Sequence, residues 1–236
     1  NSVTDPAGGP QIPRPPLVRL GAPAPWLRLA PAERTLRLAD IRRVCATLPP
    51  PRRSRVAVPG MRQAAVLVPL FEEDGAARVV LTKRPDTMPS HRGDVAFPGG
   101  KVHPDVDRSL VEAALREAHE EVGLRPEAVE VVAELDTLST VTTRFVISPF
   151  VGVLAARPEL VADQREVVRV FDVALADLLE DGVHREELWG AGPLARAVHF
   201  FELPGVGDDP EGGAECIWGA TARILAEFLT ALTAGR

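Results

Sequence analysis

The stretch FPGGKVHPDVDRSLVEAALREAHEEVGL, residues 97–124, joins a pair of glycines to an acidic helix end. Glu117, Glu120 and Glu121 lie within little more than one helical turn, and carboxylates at such spacings repel each other by about 0.2–0.5 kcal/mol per pair. They also lie at the C-terminal end of the predicted helix, where the macrodipole disfavours negative charge. Two departures from local preference in one segment suggest a functional site.

The same stretch predicts an amphipathic helix with identifiable ends. Asp107 or Ser109 is the expected N-cap, and Gly123 is the expected terminator. At 100° per residue the three acids fall beside the apolar stripe rather than opposite it. The stripe predicted to be buried consists of Val111, Ala114, Leu115, Ala118 and Val122. An ordinary solvated helix face is the alternative explanation, but converging carboxylates suit a hard divalent cation, and Mg²⁺ in particular pairs them with substrate phosphates.

Composition narrows the class of protein. The chain has 236 residues, 45% hydrophobic and 25% charged, which is ordinary for a globular protein that buries a core. Its formal charge of −6 argues against a nucleic-acid partner. No apolar run approaches the roughly 20 residues of a membrane span, so no membrane association is expected. The two cysteines form neither a disulfide framework nor a zinc pattern, and a cytoplasmic location is expected.

The chain is predicted to divide into an N-terminal extension, residues 1–57, and one domain, residues 58–236. The Pro-, Gly- and Arg-rich residues 1–25 are expected to be a poorly ordered arm, followed by a helix at 31–48. Strands are predicted at 64–70, 77–84, 129–136, 144–154, 167–173 and 197–203, with the first two forming a hairpin, and helices at 174–180 and 220–232. This α/β order lacks regular βαβ repetition and favours a mixed sheet covered by helices.

The residues Gly100 and then REAHEEVGL, 116–124, resemble the Nudix box, matching the REUxEExGU half of that motif residue for residue. The resemblance implies a Nudix-type α/β/α sandwich with a mixed sheet. It also implies a metal-dependent diphosphatase that acts on acid anhydrides, with Mg²⁺ or Mn²⁺ as cofactor.

Carried over to this chain, the resemblance gives roles to individual residues. Glu117, Glu120 and Glu121 are implied metal ligands, with the Gly99 carbonyl as a further one. Arg116 is implied to orient Glu117 through an ion pair. The general base is left open between Glu117 and Glu166.

The first half of the box departs from the family pattern. The spacing from Gly100 to Arg116 is two residues longer than usual, and Arg108 stands where an acid is expected. Asp105 or Asp107 is expected to replace that acid, as helix cap or as partner of Arg116. Glu112, four residues before Arg116, is another expected partner.

The flanking segments resemble the coenzyme A pyrophosphatase subfamily. The similar stretches are residues 81–100, which include the FPGG segment, 139–152 and 217–225. This resemblance implies hydrolysis of coenzyme A or its derivatives to 3′,5′-ADP and 4′-phosphopantetheine. Basic residues are suited to the phosphates of such a substrate. The candidate substrate-binding residues are Arg84, His91, Arg92, Lys101 and Arg144.

Two other functions are left open by the sequence. A Nudix hydrolase could act on ADP-ribose, NADH or nucleoside triphosphates, since the box does not encode the substrate. A non-catalytic nucleotide-binding regulatory module is the second alternative, although all three acids are present. In each case the expected partner is a small nucleotide-diphosphate molecule. A homodimer is also left open.

Overall fold

Twelve strands and four α-helices occur in the parts of the chain that the computed structural model describes, residues 12–54, 60–85, 93–140, 144–204 and 214–236. The strands are β1 Val18–Leu20, β2 Arg62–Glu73, β3 Ala76–Lys83, β4 Val95–Ala96, β5 Gly99–Lys101, β6 Glu130–Glu134, β7 Leu138–Thr140, β8 Phe145–Val153, β9 Arg169–Ala174, β10 His184–Trp189, β11 Arg196–Leu203 and β12 Glu215–Trp218. The helices are α1 Leu38–Cys45, α2 Leu110–Val122, α3 Leu175–Leu178 and α4 Gly219–Thr233.

The long strand β2 organises the larger of two sheets. It pairs with β8 in parallel and with β3 and β5 antiparallel, and β4 and β6 lie at the ends of the order β4-β3-β2-β8-β6. The turn between β2 and β3 is made by Asp74 and Gly75, both with positive φ. The predicted hairpin and the predicted mixed sheet are both confirmed.

Alternation along β2 places side chains on both faces of this sheet. Ala65, Leu67 and Phe71 pack with α2, whereas Val68 and Leu70 belong to the cluster on the opposite face. Burying side chains of this size contributes about 1.5–3 kcal/mol each. The helix that carries the three acids is therefore fixed directly to the central strand.

The opposite face is covered by α4 and by a second, four-stranded antiparallel sheet in the order β1-β10-β11-β12. Part of the N-terminal extension packs here: Trp26 is buried beside Phe201, and β1 pairs with β10. The expectation of a poorly ordered arm is therefore wrong for residues 12–25. Because Trp26 and α1 share a core with β2, β3 and α4, the extension contributes to that core. The division between residues 57 and 58 stays a prediction.

The predicted helix at 31–48 is shorter in the structure, where it spans Leu38–Cys45. Leu36 instead accepts a backbone hydrogen bond from Ala77 at 2.7 Å, which continues the edge of β3. Arg34 is buried and donates to the carbonyls of Leu29 and Leu179. Because of these contacts, the α-helix begins only at Leu38.

None of the helices in the described segments has both the length and the apolar character to cross a membrane.

Candidate active site

Helix α2 has the ends that its sequence predicts. The Ser109 side chain accepts a hydrogen bond from the Glu112 backbone N–H at 3.2 Å, so Ser109 rather than Asp107 is the N-cap. Gly123 ends the helix in the left-handed region at φ 71°, a conformation that glycine adopts without strain. Of the expected stripe, Ala114, Ala118 and Val122 are buried, while Val111 and Leu115 are partly buried.

The last turns of α2 lie against the paired glycines of β5. The Glu121 carboxylate accepts the Gly99 backbone N–H at 3.0 Å and is almost completely buried. A Cβ atom placed on Gly100 would lie 2.3 Å from Oε2 of Glu117, so Glu117 fits only because residue 100 has no side chain. Two of the three acids are therefore held against the strand.

Burial makes ionisation of these acids costly. It raises the pKa of Glu121 to about 7; the Gly99 hydrogen bond and the charge of Arg84 oppose the rise, whereas Glu117 and Glu166 reinforce it. The pKa of Glu117 is also raised, chiefly by burial, with Arg116 opposing the rise. Desolvation and like charge penalise the anions in both cases. A bound cation would offset both costs.

Arg116 is fixed by the acid that replaces the missing box residue. Its Nε and Nη2 donate to the two carboxylate oxygens of Asp107 at 2.8 and 3.0 Å, and the Asp107 side chain is 2% exposed. The guanidinium holds the pKa of Asp107 below its ordinary value. Arg116 Nη1 then contacts Glu117 at 2.9 Å and Glu120 at 2.8 Å.

The expected pairing of Glu112 with Arg116 is wrong. Glu112 instead pairs with Arg108 at 2.6 Å, on the exposed first turn of α2. Asp107 occupies both Nε and Nη2 of Arg116 with the geometry of a bidentate pair, which is stronger than a single contact. Asp105 is exposed in the same loop.

Glu166 reaches the site from a loop that is fastened to the end of α2. The backbone N–H groups of Val161 and Asp163 donate to the carbonyls of Val122 and Glu121 at 3.0 and 2.9 Å. These bonds satisfy carbonyls that a helix end otherwise leaves without partners. Glu166 lines the same cleft as Glu117 and Glu121, and its charge raises the pKa of both.

The acids lie at one part of a cleft of about 690 Å³. The remaining walls come from β2, from β4 and the residues beside it, from β7 and β8, and from the end of β12 and the start of α4. They include Arg62, Val66, Asp94, Phe97, Thr140, Phe145, Ile147, Trp218, Thr221 and Ile224. The Trp218 indole N–H donates to Asp94 Oδ1 at 2.8 Å, and the Arg62 guanidinium lies 4.4 Å from the centre of the Phe145 ring. The cleft therefore combines an acidic part with aromatic and basic walls.

The candidate substrate-binding residues are distributed unevenly. Arg84 and Lys101 line the cleft, whereas Arg144 is exposed and is not among the lining residues. His91 and Arg92 lie outside the described residues. Arg62 and Trp218 line the cleft but were not predicted as site residues, because an Arg at a strand start and a Trp beside apolar neighbours carry no local signal of function.

The donor set fits a hard divalent cation. Glu117, Glu120, Glu121, Glu166 and Gly99 all line one cleft, and they offer only oxygen ligands. Within the described segments, no group of three Asp, Glu, His or Cys side chains is close enough together to hold a metal ion by itself. Mg²⁺ commonly needs only one or two carboxylates, because water and substrate phosphates complete its shell. The arrangement is therefore compatible with the predicted Mg²⁺ or Mn²⁺.

Comparison with known proteins gives an independent result. The model of the NUDIX domain matches residues 61–191. A Cronobacter sakazakii protein described as an uncharacterized Nudix hydrolase NudL is 38% identical over 184 residues, covering 75% of this chain and 86% of the relative. A relative of the same description from Klebsiella pneumoniae subsp. pneumoniae is 36% identical over 208 residues, covering 84% and 95%.

Solved structures with a similar fold include two Nudix proteins. A MutT/nudix family protein from Enterococcus faecalis matches with a TM-score of 0.46 at 18% identity, covering 74% of this chain and 62% of that one. RenU, a Nudix hydrolase of M. smegmatis, matches with a TM-score of 0.42 at 24% identity, covering 48% and 71%.

The family match spans more than half of the chain, and it includes the glycine pair, the acidic helix end and Glu166. The resemblance predicted from residues 100–124 is confirmed. This chain belongs to the Nudix hydrolase family.

Proposed function

We propose that the protein hydrolyses a diphosphate bond in a nucleoside-diphosphate-linked substrate, with Mg²⁺ or Mn²⁺, and that this substrate is coenzyme A or a derivative of it. The products would be 3′,5′-ADP and a 4′-phosphopantetheine. The observation that carries the proposed reaction is the burial of Glu117 and Glu121 against Gly100 and Gly99 at the side of a large cleft.

The residues proposed to hold the cation are Glu117, Glu120 and Glu121, with the Gly99 carbonyl as a further ligand. Held there, a divalent cation supplies charge neutralisation for the diphosphate and makes bound water more acidic. Arg116 keeps Glu117 and Glu120 in place, and Asp107 keeps Arg116 in place. Catalysis in such a site comes mainly from positioning and from stabilisation of charge.

Glu166 and Glu117 remain the two candidates for the general base. Glu166 makes no ion pair with a described residue, lines the cleft and is exposed, so its carboxylate is available to accept a proton from water. Glu117 is already in contact with Arg116. These observations favour Glu166 as the base and Glu117 as a ligand.

Support for coenzyme A comes from the sequence segments that resemble its pyrophosphatases, and from the basic walls of the cleft. Arg62, Arg84 and Lys101 line the cleft, and guanidinium and ammonium groups suit a polyanionic ligand. Arg144, His91 and Arg92 stay candidates from the sequence. A cytoplasmic location and a homodimer belong to the same proposal.

A panel of substrates tests this proposal. The purified protein is incubated with coenzyme A, NADH, ADP-ribose or nucleoside triphosphates in Mg²⁺ or Mn²⁺, and products are separated by chromatography. We expect the highest kcat/KM with coenzyme A and no turnover with excess chelator. A higher kcat/KM with another compound would overturn the substrate assignment, and turnover that survives chelation would overturn the metal dependence. Binding of these nucleotides without turnover of any would favour the regulatory alternative.

A further inference from the structure

The N-terminus of α4 opens into the active-site cleft. Gly219, Ala220 and Thr221, the first three residues of this 15-residue helix, all line the cleft. The N-cap residue, Trp218, makes no side-chain capping bond, and the first turn contains no acidic residue. A helix N-terminus leaves backbone N–H groups without intrahelical partners and carries partial positive charge, a combination that binds anions.

The Thr221 hydroxyl provides a second, independent indication of a ligand. Thr221 is 8% exposed, yet its hydroxyl has no hydrogen-bond partner among the described residues. Thr230 and Thr233, further along α4, instead donate to the carbonyls of Ala226 and Leu229. Thr221 cannot donate to a helix carbonyl in the same way, because the residue four positions before it lies in β12. The hydroxyl oxygen is itself accessible from the cleft, so it is available to a ligand there.

The charges around this helix end decide which anions can bind. Asp94 is held beside it by the Trp218 indole, and its negative charge opposes an anion. Arg62 and Lys101 line the same cleft, and neither forms an ion pair with a described residue. Both therefore add positive charge to the cleft that Asp94 also lines. A ligand with several acceptor oxygens, such as a phosphate monoester, uses the helix N–H groups and the hydroxyl together.

We propose that the first turn of α4 and the Thr221 hydroxyl bind a phosphate group of the substrate that lies outside the diphosphate. This inference rests on the proposed function, because the acids of α2 would hold the diphosphate elsewhere in the cleft. Coenzyme A carries such a phosphate on its ribose 3′ oxygen, whereas dephospho-coenzyme A, ADP-ribose and NADH do not. The subsite would therefore select coenzyme A over these compounds.

A matched pair of variants tests the charge of the subsite. Ala220→Glu places a carboxylate in the first turn, where it competes with phosphate, and Ala220→Gln has the same size without the charge. The measured quantity is the ratio of kcat/KM for coenzyme A to that for dephospho-coenzyme A. We expect a ratio of about ten or more in the unmodified protein, and a ratio that is about tenfold lower in Ala220→Glu than in Ala220→Gln, whose uncharged side chain takes up the same space. A ratio near one in the unmodified protein, or equal ratios in the two variants, would overturn the subsite.

Binding measurements separate this inference from the proposed reaction. Calorimetry compares the dissociation constants of 3′,5′-ADP and 5′-AMP. The difference is the contribution of the 3′-phosphate to binding, and it is measured without any turnover. We expect Thr221→Val to weaken 3′,5′-ADP about tenfold and 5′-AMP little, with Thr221→Ser restoring most of the difference. If 3′,5′-ADP binds no more tightly than 5′-AMP, the subsite is refuted. If 3′,5′-ADP binds more tightly than 5′-AMP and this preference depends on Thr221, the subsite is supported. If coenzyme A is nevertheless not hydrolysed, the proposed reaction is refuted while the subsite is not.

Discussion

Gly100 and Glu117 are in direct contact, and the space that a Cβ atom would need at residue 100 is taken by the Glu117 carboxylate. The second glycine of the pair is therefore a steric requirement of the candidate active site. It allows an acid at the end of α2 to lie against β5 instead of turning toward solvent.

Replacing Gly100 by Ala is expected to displace Glu117, because the added Cβ would meet Oε2 at 2.3 Å. Small displacements of a catalytic group lower rates by up to about 100-fold, and we expect a loss of this order in kcat. Steady-state kinetics on the best substrate of the panel measures it. Gly235→Ala is the control, since no atom lies within 4 Å of a Cβ at that position. Undiminished kcat in the Gly100→Ala variant would show that Glu117 has no role in turnover.

Glu121→Gln is expected to lower turnover by about 100-fold or more, because it removes a charged oxygen ligand. The fold should persist, since the Gln carbonyl can still accept the Gly99 N–H and the cost of a buried charge disappears. Melting temperature with and without Mg²⁺ provides a second measurement: Mg²⁺ should stabilise the unmodified protein and not the variant.

The control for this substitution is Glu112→Gln on the exposed turn of the same helix, which should keep both the activity and the Mg²⁺ effect. Equal stabilisation of Glu121→Gln and unmodified protein by Mg²⁺ would exclude Glu121 as a ligand.

Asp107→Asn is expected to lower both activity and stability. The buried carboxylate makes two hydrogen bonds to Arg116, and removing its charge leaves the guanidinium without its main partner. We expect a loss of about 2 kcal/mol in the free energy of unfolding and a fall in kcat of about 10-fold or more. Urea unfolding and kinetics measure the two effects. Asp105→Asn, exposed in the same loop, should change neither; a matching loss there would show that the loop as a whole, not the Arg116 contact, is responsible.

Acid is expected to weaken the packing around His184. Burial lowers the pKa of this imidazole to about 4, with the charges of His199 and Arg185 acting in the same direction. In the unfolded chain the group takes up a proton near pH 6.5, so the folded state loses stability as pH falls from about 6.5 toward 4. We expect His184 itself to contribute a loss of about 1–2 kcal/mol between pH 7 and pH 5, whereas the raised pKa of Glu121 acts in the opposite direction over the same range.

Urea unfolding of the unmodified protein and of His184→Gln at both pH values isolates this contribution, because the change in unfolding free energy from pH 7 to pH 5 should be less unfavourable in the variant. The exposed His119 provides the control substitution, His119→Gln, which should leave the pH dependence as it is. An unchanged pH dependence in His184→Gln would assign the acid sensitivity to other groups.

Strong local signals made much of the fold predictable. Gly123 and Ser109 are the caps that the sequence indicates, and the apolar runs at 64–70 and 144–154 are the paired strands β2 and β8. The resemblance to the Nudix box, which implies that the acids and the Gly99 carbonyl hold one metal, also predicted that the helix end and the glycine pair meet. The caps and the strands are each indicated by residues that lie close together in the sequence.

Apart from the strand predicted at 197–203, the second sheet and the far wall of the cleft were not predictable in this way. β10, with the sequence HREELW, carries three adjacent charges and is stabilised by pairing with β1 and β11. Trp26 follows a Pro-rich segment that resembles an unstructured arm, yet it is buried against residues about 175 positions later in the chain. Contacts of such long range leave no periodic pattern in the local sequence.

The bonds from Val161 and Asp163 to the end of α2 join the helix end that carries Glu121 to the loop that carries Glu166. A shift of the helix end would carry the loop with it, so Glu121 and Glu166 would keep their separation. Insertions between residues 154 and 160 should consequently be tolerated, whereas a single deletion between 163 and 166 would break the alignment of the two acids.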